Sequence, residues 1–280
     1  MTAAERFAQA RPRLLRLAYS ELGDLGEAED VVQEAWLRLE RVDADAIENL
    51  DGWLTTVVGR LALDRLRSAR VRRETYVGPW LPEPLVSDDP ADRVTLDESV
   101  SYALLTVLEQ LSPAERTAFV LHDVFDVPFG EVAEVVGRTP EAVRQLASRA
   151  RRHVKRERPH LTASSDEHDR AVRAFAQAAA EGDLESLVAV LDPDVVWTSD
   201  GGGRAPAVRT PQHGAERVAR MWAALGRRFA GEPAEIRLNG RLGLMLASID
   251  GHRAALSFVV DDGRIARIDS VRNPEKLRRL

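Results

Sequence analysis

Four prolines between residues 76 and 97 interrupt a chain whose flanking segments have apolar residues at the three- and four-residue spacing of amphipathic helices. Proline lacks a backbone donor and clashes with the preceding turn, so a helix cannot continue through this segment. A second break comes at residues 159–165, after which short strand patterns appear. The sequence therefore predicts a helical module at residues 1–75, a linker at 76–97, a second helical module at 98–158 and an α+β module at 166–280.

The composition limits the class of protein. With 45 acidic and 39 basic residues the net charge is -6, which argues against nucleic-acid binding over the whole surface but leaves local basic patches open. The absence of cysteine excludes disulfides and thiolate metal sites. No stretch has the length and apolar character of a membrane helix, and the charged start is unlike a signal peptide. We therefore expect a cytoplasmic protein that needs no metal and no cofactor.

Residues 129–158 have the pattern of a helix-turn-helix. A short helical pattern ends at Gly137, which can adopt the left-handed conformation that closes a helix. Thr139 can cap the next helix, and Pro140 and Glu141 favour its first turn. Residues 130–158 carry eight basic and four acidic side chains, a local charge of +4. Such a helix can enter the major groove of DNA, and a solvated basic face is the alternative interpretation.

Two helical patterns of the first module differ in charge. In the first, Asp30, Gln33 and Glu34 share one face with Leu37, so an acidic face is free for a basic partner. The second includes residues 60–74, which have a net charge of +4 and could follow a phosphate backbone. Simple solvation of both faces is the alternative.

These segments resemble a known family. Residues 26–39 and 53–67 are similar to the polymerase-binding and promoter-melting helices of region 2 of bacterial sigma factors, and residues 111–116 with the helix-turn-helix resemble region 4. Because no region 3 lies between them, the chain resembles the extracytoplasmic-function type. It departs from that pattern at Gly59-Arg60, where many members have Arg-Asn. Residues 80–84, 200–203 and 273–277 resemble a subgroup in which a SnoaL-like domain follows region 4.

The resemblance implies a function and a set of contact residues: promoter-specific transcription initiation with core RNA polymerase and promoter DNA, double-stranded and melted, as partners. Contacts with -35 DNA are expected from Thr139, Glu141, Arg144, Gln145, Ser148, Arg149 and Arg152. Contacts with -10 DNA are expected from Asn49, Arg60 and Arg67. Contacts with RNA polymerase are expected from Asp30, Gln33 and Glu34.

The third module is expected to be an α+β domain. Five short strand patterns and three helical ones, with turn signals at residues 250–251 and 261–263, predict antiparallel hairpins covered by helices on one face. The resemblance implies a SnoaL-like cone of the nuclear-transport-factor-2-like fold. We thus expect a multidomain chain with two all-α sigma domains, a region 2 helical bundle and a region 4 helix-turn-helix, followed by this cone.

The linker is expected to bind the third module. Trp80 cannot bury its indole within a short segment, and large aromatic side chains often anchor interfaces. The resemblance implies that the third module takes the regulatory place of a separate anti-sigma factor. The regulatory contacts are expected from Trp80, Leu81, Pro82, Glu83, Pro84, Asp200, Gly201, Gly202, Gly203, Asn273 and Pro274. We expect the third module to bind both the linker and region 2 and so to hold the two DNA-binding modules in one relative orientation.

Alternatives remain open for the third module. It could be an enzyme of the cyclase or isomerase kind with Asp200 as a general acid-base, or a sensor for a small-molecule ligand carried by a DNA-binding regulator. We predict a sigma factor that is not an enzyme and is monomeric when free. An ordinary regulator that uses only the helix-turn-helix is disfavoured, because it would have no use for a polymerase-binding helix.

Overall fold

The computed structural model describes residues 2–73, 76–86, 100–157, 163–226, 233–247 and 251–280. The described chain falls into two compact units. The first contains residues 2–73, 100 and 104–157, and the second contains residues 76–86, 101–103 and everything from 163 onward. The predicted linker therefore belongs, in its described part, to the same unit as the third module. Residues 87–97 of that linker lie outside the described residues.

The first unit is helical. Its elements are α1 (Ala3–Leu22), α2 (Leu25–Leu39), a 3₁₀ turn (Ala44–Ala46), α3 (Leu50–Arg73), α4 (Tyr102–Leu108, of which the first two residues belong to the second unit), α5 (Pro113–Phe119), a π turn (Val120–Val124), α6 (Phe129–Val136) and α7 (Pro140–Glu157). Helix α3 packs against α1, α2 and α6, and α6 packs against α7.

Polar caps fix where these helices begin. Thr2 and Ser112 each accept a hydrogen bond from the backbone of a glutamate three residues later, and that glutamate bonds back to the cap, which satisfies two otherwise unpaired amides. Asp24 caps α2 through the amide of Glu27 at 2.8 Å. The starts of these three helices are thus encoded locally.

The second unit is a six-stranded sheet with helices. Its elements are α8 (Ser165–Glu181), α9 (Leu184–Val190), β1 (Leu191–Asp200), β2 (Gln212–His213), α10 (Ala215–Gly226), β3 (Ala234–Leu238), β4 (Arg241–Ala247), β5 (Arg253–Asp261) and β6 (Arg264–Val271). The strand order is β2-β1-β6-β5-β4-β3, antiparallel except for the parallel pair β1 and β6. The predicted fold class is confirmed. The two-residue strand β2 was not predicted. The sequence pattern also predicts a helix at residues 216–229 and a strand at 242–249, and the last residues of both lie outside the described residues.

Each face of this sheet has its own apolar cluster. Leu242, Leu244 and Leu246 of β4 pack with Phe175 and Trp222 of the helices. Side chains alternate across a strand, so Met245 points to the opposite face. There the linker and the C-terminal segment contribute to a second cluster, formed by Leu81, Tyr102, Leu238, Ala255, Val271 and Leu277. The linker therefore covers the sheet face that the helices leave open.

Candidate functional site

The outward face of α7 and the cap residue before it, Thr139, carry every residue predicted to contact -35 DNA. All seven are exposed, whereas Val143, Leu146, Ala147, Ala150 and Val154 form the buried face. Arg144 lies 3.2 Å from Glu141, and the backbone amide at the start of the helix lowers the pKa of the Glu141 carboxyl. Arg149 is 3.9 Å from Glu115. The basic side chains are free to extend away from the protein, because these exposed pairs are weak.

The turn before α7 follows the expected chemistry. Gly137 has φ +71° and donates its amide to Ala133 at 2.9 Å, which ends α6. Thr139 accepts a hydrogen bond from the amide of Ala142 at 3.3 Å and so caps α7. The two helices thus form the predicted helix-turn-helix arrangement.

The acidic face of α2 is also accessible. Asp30 and Gln33 are exposed and Glu34 is half-buried, while Leu37 is 37% exposed. The opposite face is buried, with Ala28, Val31, Val32, Ala35 and Leu39 in the core. Glu34 pairs with Arg38 at 3.1 Å. This face therefore presents carboxylates and one apolar side chain to a partner.

The three residues predicted for -10 DNA are exposed but already have partners. Asn49 accepts the amide of Gly52 at 3.0 Å, and Arg67 pairs with Asp64 at 3.3 Å. Arg60 donates its Nε and Nη2 to the backbone carbonyl of Glu134 in α6. The structure thus places Arg60 against the helix-turn-helix.

Asp200, the last residue of β1, is the centre of the linker-binding site and is fully buried. Its Oδ1 accepts hydrogen bonds from the Tyr76 hydroxyl at 2.7 Å and the Gly202 amide at 2.9 Å. Its Oδ2 accepts from the Leu81 amide at 2.9 Å and the Lys276 ammonium at 2.7 Å. Two of these four donors come from the linker. The carboxylate therefore binds linker and C-terminal segment together.

Lys276 completes the site. Its Nζ also donates to the carbonyl of Leu81 and lies 3.8 Å from the centroid of the Trp80 ring, a cation-π contact. Burial, followed by the hydrogen bond to Asp200, raises the pKa of the Tyr76 phenol well above its ordinary value, so Tyr76 remains a donor. The site thus binds Trp80 through the face of its ring and Leu81 through its backbone amide and carbonyl.

The glycines after Asp200 permit this close approach. A Cβ at Gly202, whose φ is +60°, would lie 2.4 Å from Asn273 Nδ2 and 3.0 Å from the Tyr76 hydroxyl oxygen. A Cβ at Gly201 would lie 2.2 Å from the Ala205 carbonyl oxygen. Asn273 donates to the Tyr76 hydroxyl at 3.0 Å. Only glycine fits these positions without displacement of backbone or side chains.

The linker continues along the sheet beyond this cluster. Pro82 accepts a hydrogen bond from the Tyr102 hydroxyl at 2.9 Å. The Leu85 amide donates to the Asn239 side chain at 3.1 Å, and the Asn239 amide donates back to Leu85 at 2.8 Å. Glu83 and Pro84 are buried, and Pro274 is exposed. The described linker is thus fixed by several independent contacts.

Four residues of this site were not predicted as site residues. They are Tyr76, Tyr102, Asn239 and Lys276. Lys276 could have been singled out from the sequence, because it is one of only two lysines among the 39 basic residues. A compact ammonium suits this narrow site better than a guanidinium. No comparable signal marked the other three.

In the described part of the chain, no helix combines the length and the hydropathy that a membrane crossing needs.

Three family descriptions match the chain in the predicted order. Residues 7–72 match Sigma-70 region 2, residues 101–154 match Sigma-70 region 4, and residues 172–268 match the SnoaL-like domain.

Proteins of known name are similar along nearly the whole length. The ECF RNA polymerase sigma factor SigJ of Mycobacterium tuberculosis is 42% identical over 96% of this chain and 91% of its own. The probable ECF RNA polymerase sigma factor SigI of the same species is 37% identical over 95% and 92%. The crystal structure of M. tuberculosis SigJ superposes with a TM-score of 0.82 at 39% identity and covers 99% of this chain and 98% of its own.

Proposed function

This chain belongs to the extracytoplasmic-function family of RNA polymerase sigma factors, and we propose that its SnoaL-like domain controls initiation by binding the linker between regions 2 and 4. As a sigma factor it directs RNA polymerase to promoters and initiates transcription there. We therefore propose core RNA polymerase and promoter DNA as the partners, and the cytoplasm, where both occur, as the location.

Three surfaces are proposed to bind these partners. The outward face of α7 reads -35 DNA, because its exposed arginines and Gln145 can reach base edges and phosphates. Asn49, Arg60 and Arg67 contact -10 DNA, and the acidic face of α2 binds core polymerase. Charge supports the assignments of α7 and α2, since the outward face of α7 is basic and the exposed face of α2 is acidic.

The buried carboxylate of Asp200 is the observation that carries the regulatory proposal. It binds linker atoms of Tyr76 and Leu81 directly, and Lys276 binds Leu81 and Trp80 beside it. In the sequence this linker joins the two DNA-binding regions, so its conformation limits their separation. A domain that binds the linker can thus determine which distances between the two DNA-binding regions are possible.

The same geometry argues against catalysis by Asp200. Its two oxygens together accept hydrogen bonds from four donors, so neither oxygen is available to take a proton from a substrate. Aromatic rings fill the helix-covered side of the sheet, where Phe175 lies 5.1 Å from Trp222 and 5.3 Å from Phe258. We propose that the domain is not an enzyme, that the free chain is monomeric, and that no metal or cofactor is required.

Hydrogen exchange tests the linker contacts. The Leu81 and Leu85 amides are protected by Asp200 and Asn239, so a peptide covering residues 76–86 reports their release. Asp200→Asn keeps the shape but removes the charge that pairs with Lys276. Asp194→Asn in the same strand is the matched control, because that side chain is exposed.

We expect Asp200→Asn to speed exchange in residues 76–86 and to change run-off transcription with core polymerase, while Asp194→Asn leaves both unchanged. Equal exchange and equal transcription in all three proteins would contradict regulation through the linker. Faster exchange with unchanged transcription would show that the contact is structural only.

A further inference from the structure

The segment between α5 and α6 departs from a regular helix. In the π turn the Phe125 amide donates to the Val120 carbonyl at 3.1 Å, so the bond spans five residues instead of the four of an α-helix. Single π turns are rare and are often found at functional sites. Asp126 then has φ +56°, a conformation that is uncommon in residues other than glycine. This unusual backbone directs attention to the side chains that it positions.

One of these side chains is His122, whose ring is fixed by the turn. Its Nδ1 lies 2.9 Å from the carbonyl oxygen of Val127. A carbonyl only accepts hydrogen bonds, so Nδ1 carries the proton and donates it. Val127 is buried, and its own amide donates to the Leu121 carbonyl at 2.9 Å, which fixes the acceptor in turn. The imidazole is therefore held in one orientation.

The imidazole stacks on the ring of Phe129, the first residue of α6. The two ring centroids are 3.7 Å apart and the ring planes are inclined by 29°. Phe129 is only half-buried, so part of its ring surface is available to another side chain. An aromatic ring in this position can attract a cation.

That cation is Arg144 of α7. Its Cζ lies over the Phe129 ring, 5.4 Å from the ring centroid, which is within the range of a cation-π contact. Its Nη1 also lies 3.2 Å from Oε1 of Glu141, and its side chain is 56% exposed. Two contacts therefore orient the guanidinium without burying it.

The two contacts differ in what they leave free for DNA. The contact with Glu141 uses an N–H group, whereas a cation-π contact uses no hydrogen-bond donor. A guanine base accepts two N–H bonds from one guanidinium. The ion pair with Glu141 is exposed and weak, so a base can replace that carboxylate while the contact with Phe129 is kept.

An arginine that is already oriented can select a base more strictly than a free one. A long side chain loses rotamer entropy when it binds in one geometry, and a contact that limits the rotamers beforehand lowers that cost. A bidentate contact with a base edge also requires one orientation of the planar guanidinium. The ring contact of Arg144 therefore bears on base selection.

We propose that the stacked rings of His122 and Phe129 position Arg144 for base recognition, so that Phe129 helps to determine which -35 sequence is preferred. Phe129 acts through Arg144 and is a positioning residue. The proposal rests on the proposed function, in which α7 reads -35 DNA, and it adds a residue outside α7 to the selection of a base.

Phe129→Leu tests the proposal, because leucine keeps an apolar side chain but removes the ring. The full chain is combined with core polymerase, and its affinity is measured for promoters that differ at single base pairs of the -35 element. Arg144→Ala identifies the base pair that Arg144 selects. Phe129→Tyr retains the ring, and Phe125→Leu is the matched control, because Phe125 is a half-buried phenylalanine of the preceding turn.

We expect Phe129→Leu to reduce the preference at the base pair selected by Arg144 by about two- to fivefold, the factor that an exposed cation-π contact supplies. Preferences at the other base pairs and the salt dependence should not change, because the phosphate contacts are kept. Phe129→Tyr and Phe125→Leu should behave like the natural chain. In the Arg144→Ala background, Phe129→Leu should have no further effect.

An unchanged preference in Phe129→Leu would overturn the proposal. An equal loss with and without the Arg144 side chain would overturn it too, because Phe129 would then act on the fold or on DNA by another route. If Arg144→Ala changes no preference, the proposed role of Arg144 in reading DNA is wrong and the positioning proposal fails with it.

A measurement on the free full chain separates these failures. In a nitrogen-15 NMR spectrum, the Nε–H signal that disappears in Arg144→Lys belongs to Arg144. The ring current of Phe129 should displace this signal, so we expect it to move in Phe129→Leu and to stay in place in Phe125→Leu. An unmoved signal would overturn the ring contact itself, whatever the DNA measurements show.

Discussion

Lys276 and Asp200 form an ion pair at 2.7 Å in which the side chains are 6% and 0% exposed. Removal of one partner from a buried pair leaves an uncompensated charge and costs about 3–5 kcal/mol, whereas removal of both costs less than the sum. We expect Lys276→Met and Asp200→Asn each to destabilise the second unit and the double variant to recover part of the loss. Denaturant unfolding of the four proteins measures this coupling, and additive effects would contradict it.

Lys276→Arg distinguishes shape from charge at the same site. The ammonium is enclosed by the Leu81 carbonyl, Asp200 and the Trp80 ring, and a planar guanidinium is larger and needs more donors satisfied. We expect Lys276→Arg to lower the thermal midpoint and to speed exchange in residues 76–86. Lys155→Arg, on the exposed surface of α7, is the control. Equal midpoints for both variants would show that any cation suffices.

Substitutions on α7 separate base contacts from phosphate contacts. If Arg144 binds a base edge, Arg144→Ala should weaken binding to the preferred -35 sequence by about 1–3 kcal/mol and relax selection at one position. Arg156→Ala should weaken all sequences alike and reduce the salt dependence. Affinities for matched and altered promoters, measured with the polymerase complex at two salt concentrations, check both. Unchanged affinity in both variants would contradict the proposed orientation.

The acidic face of α2 can be tested without disturbing the core. Asp30→Ala with Glu34→Ala should reduce binding to core polymerase, because Asp30 is exposed and Glu34 pairs with the exposed Arg38 of the same helix. Surface changes of this kind usually alter stability little. The control is Glu181→Ala with Glu185→Ala, two exposed acidic residues of the third domain. Binding equal to wild type, with an unchanged circular dichroism spectrum, would contradict the assignment.

Glu21 should make the first unit sensitive to pH. Burial raises the pKa of this carboxyl to about 8, against the opposing effects of the Thr117 hydroxyl and Arg116, whose guanidinium also pairs with Glu109. The packed state keeps a proton that the unfolded state releases near pH 4.5, so stability falls as pH rises from about 4.5 to 8, by at most about 1.4 kcal/mol per unit. Glu21→Gln should remove this dependence and stabilise the unit at pH 8, as thermal unfolding can measure. Parallel pH profiles for the two proteins would contradict it.

The helix faces and the turn residues could be predicted from the sequence, because they depend on local periodicity. The exposed and buried faces of α7 follow from apolar spacing over five turns, and Gly137 and Thr139 lie where the turn chemistry requires. The acidic face of α2 follows from the same rule. Local signals of this kind survive folding, because helical side-chain direction is fixed by position along the helix.

The linker site could not be derived this way. Leu81 and Asp200 are 119 residues apart, and Tyr76 and Asn273 are 197 apart, so no local pattern connects them. Only the resemblance to a family brought the three motifs together. The contact of Gly59 with Val135 is also non-local. From the sequence, Gly59 was visible only as a departure from a pattern, without the reason that packing provides.

The pairing of Leu85 with Asn239, followed by the bridge from Val86 to Leu238, places a fixed register on a segment that joins two modules. Connecting segments usually tolerate insertions and deletions, because they run over the surface. Here one added or lost residue between Leu81 and Leu85 would turn alternate side chains to the wrong side and uncouple one anchor from the other. We therefore expect residues 81–85 to tolerate insertions and deletions as little as a core strand does. Changes in linker length are expected only after Val86.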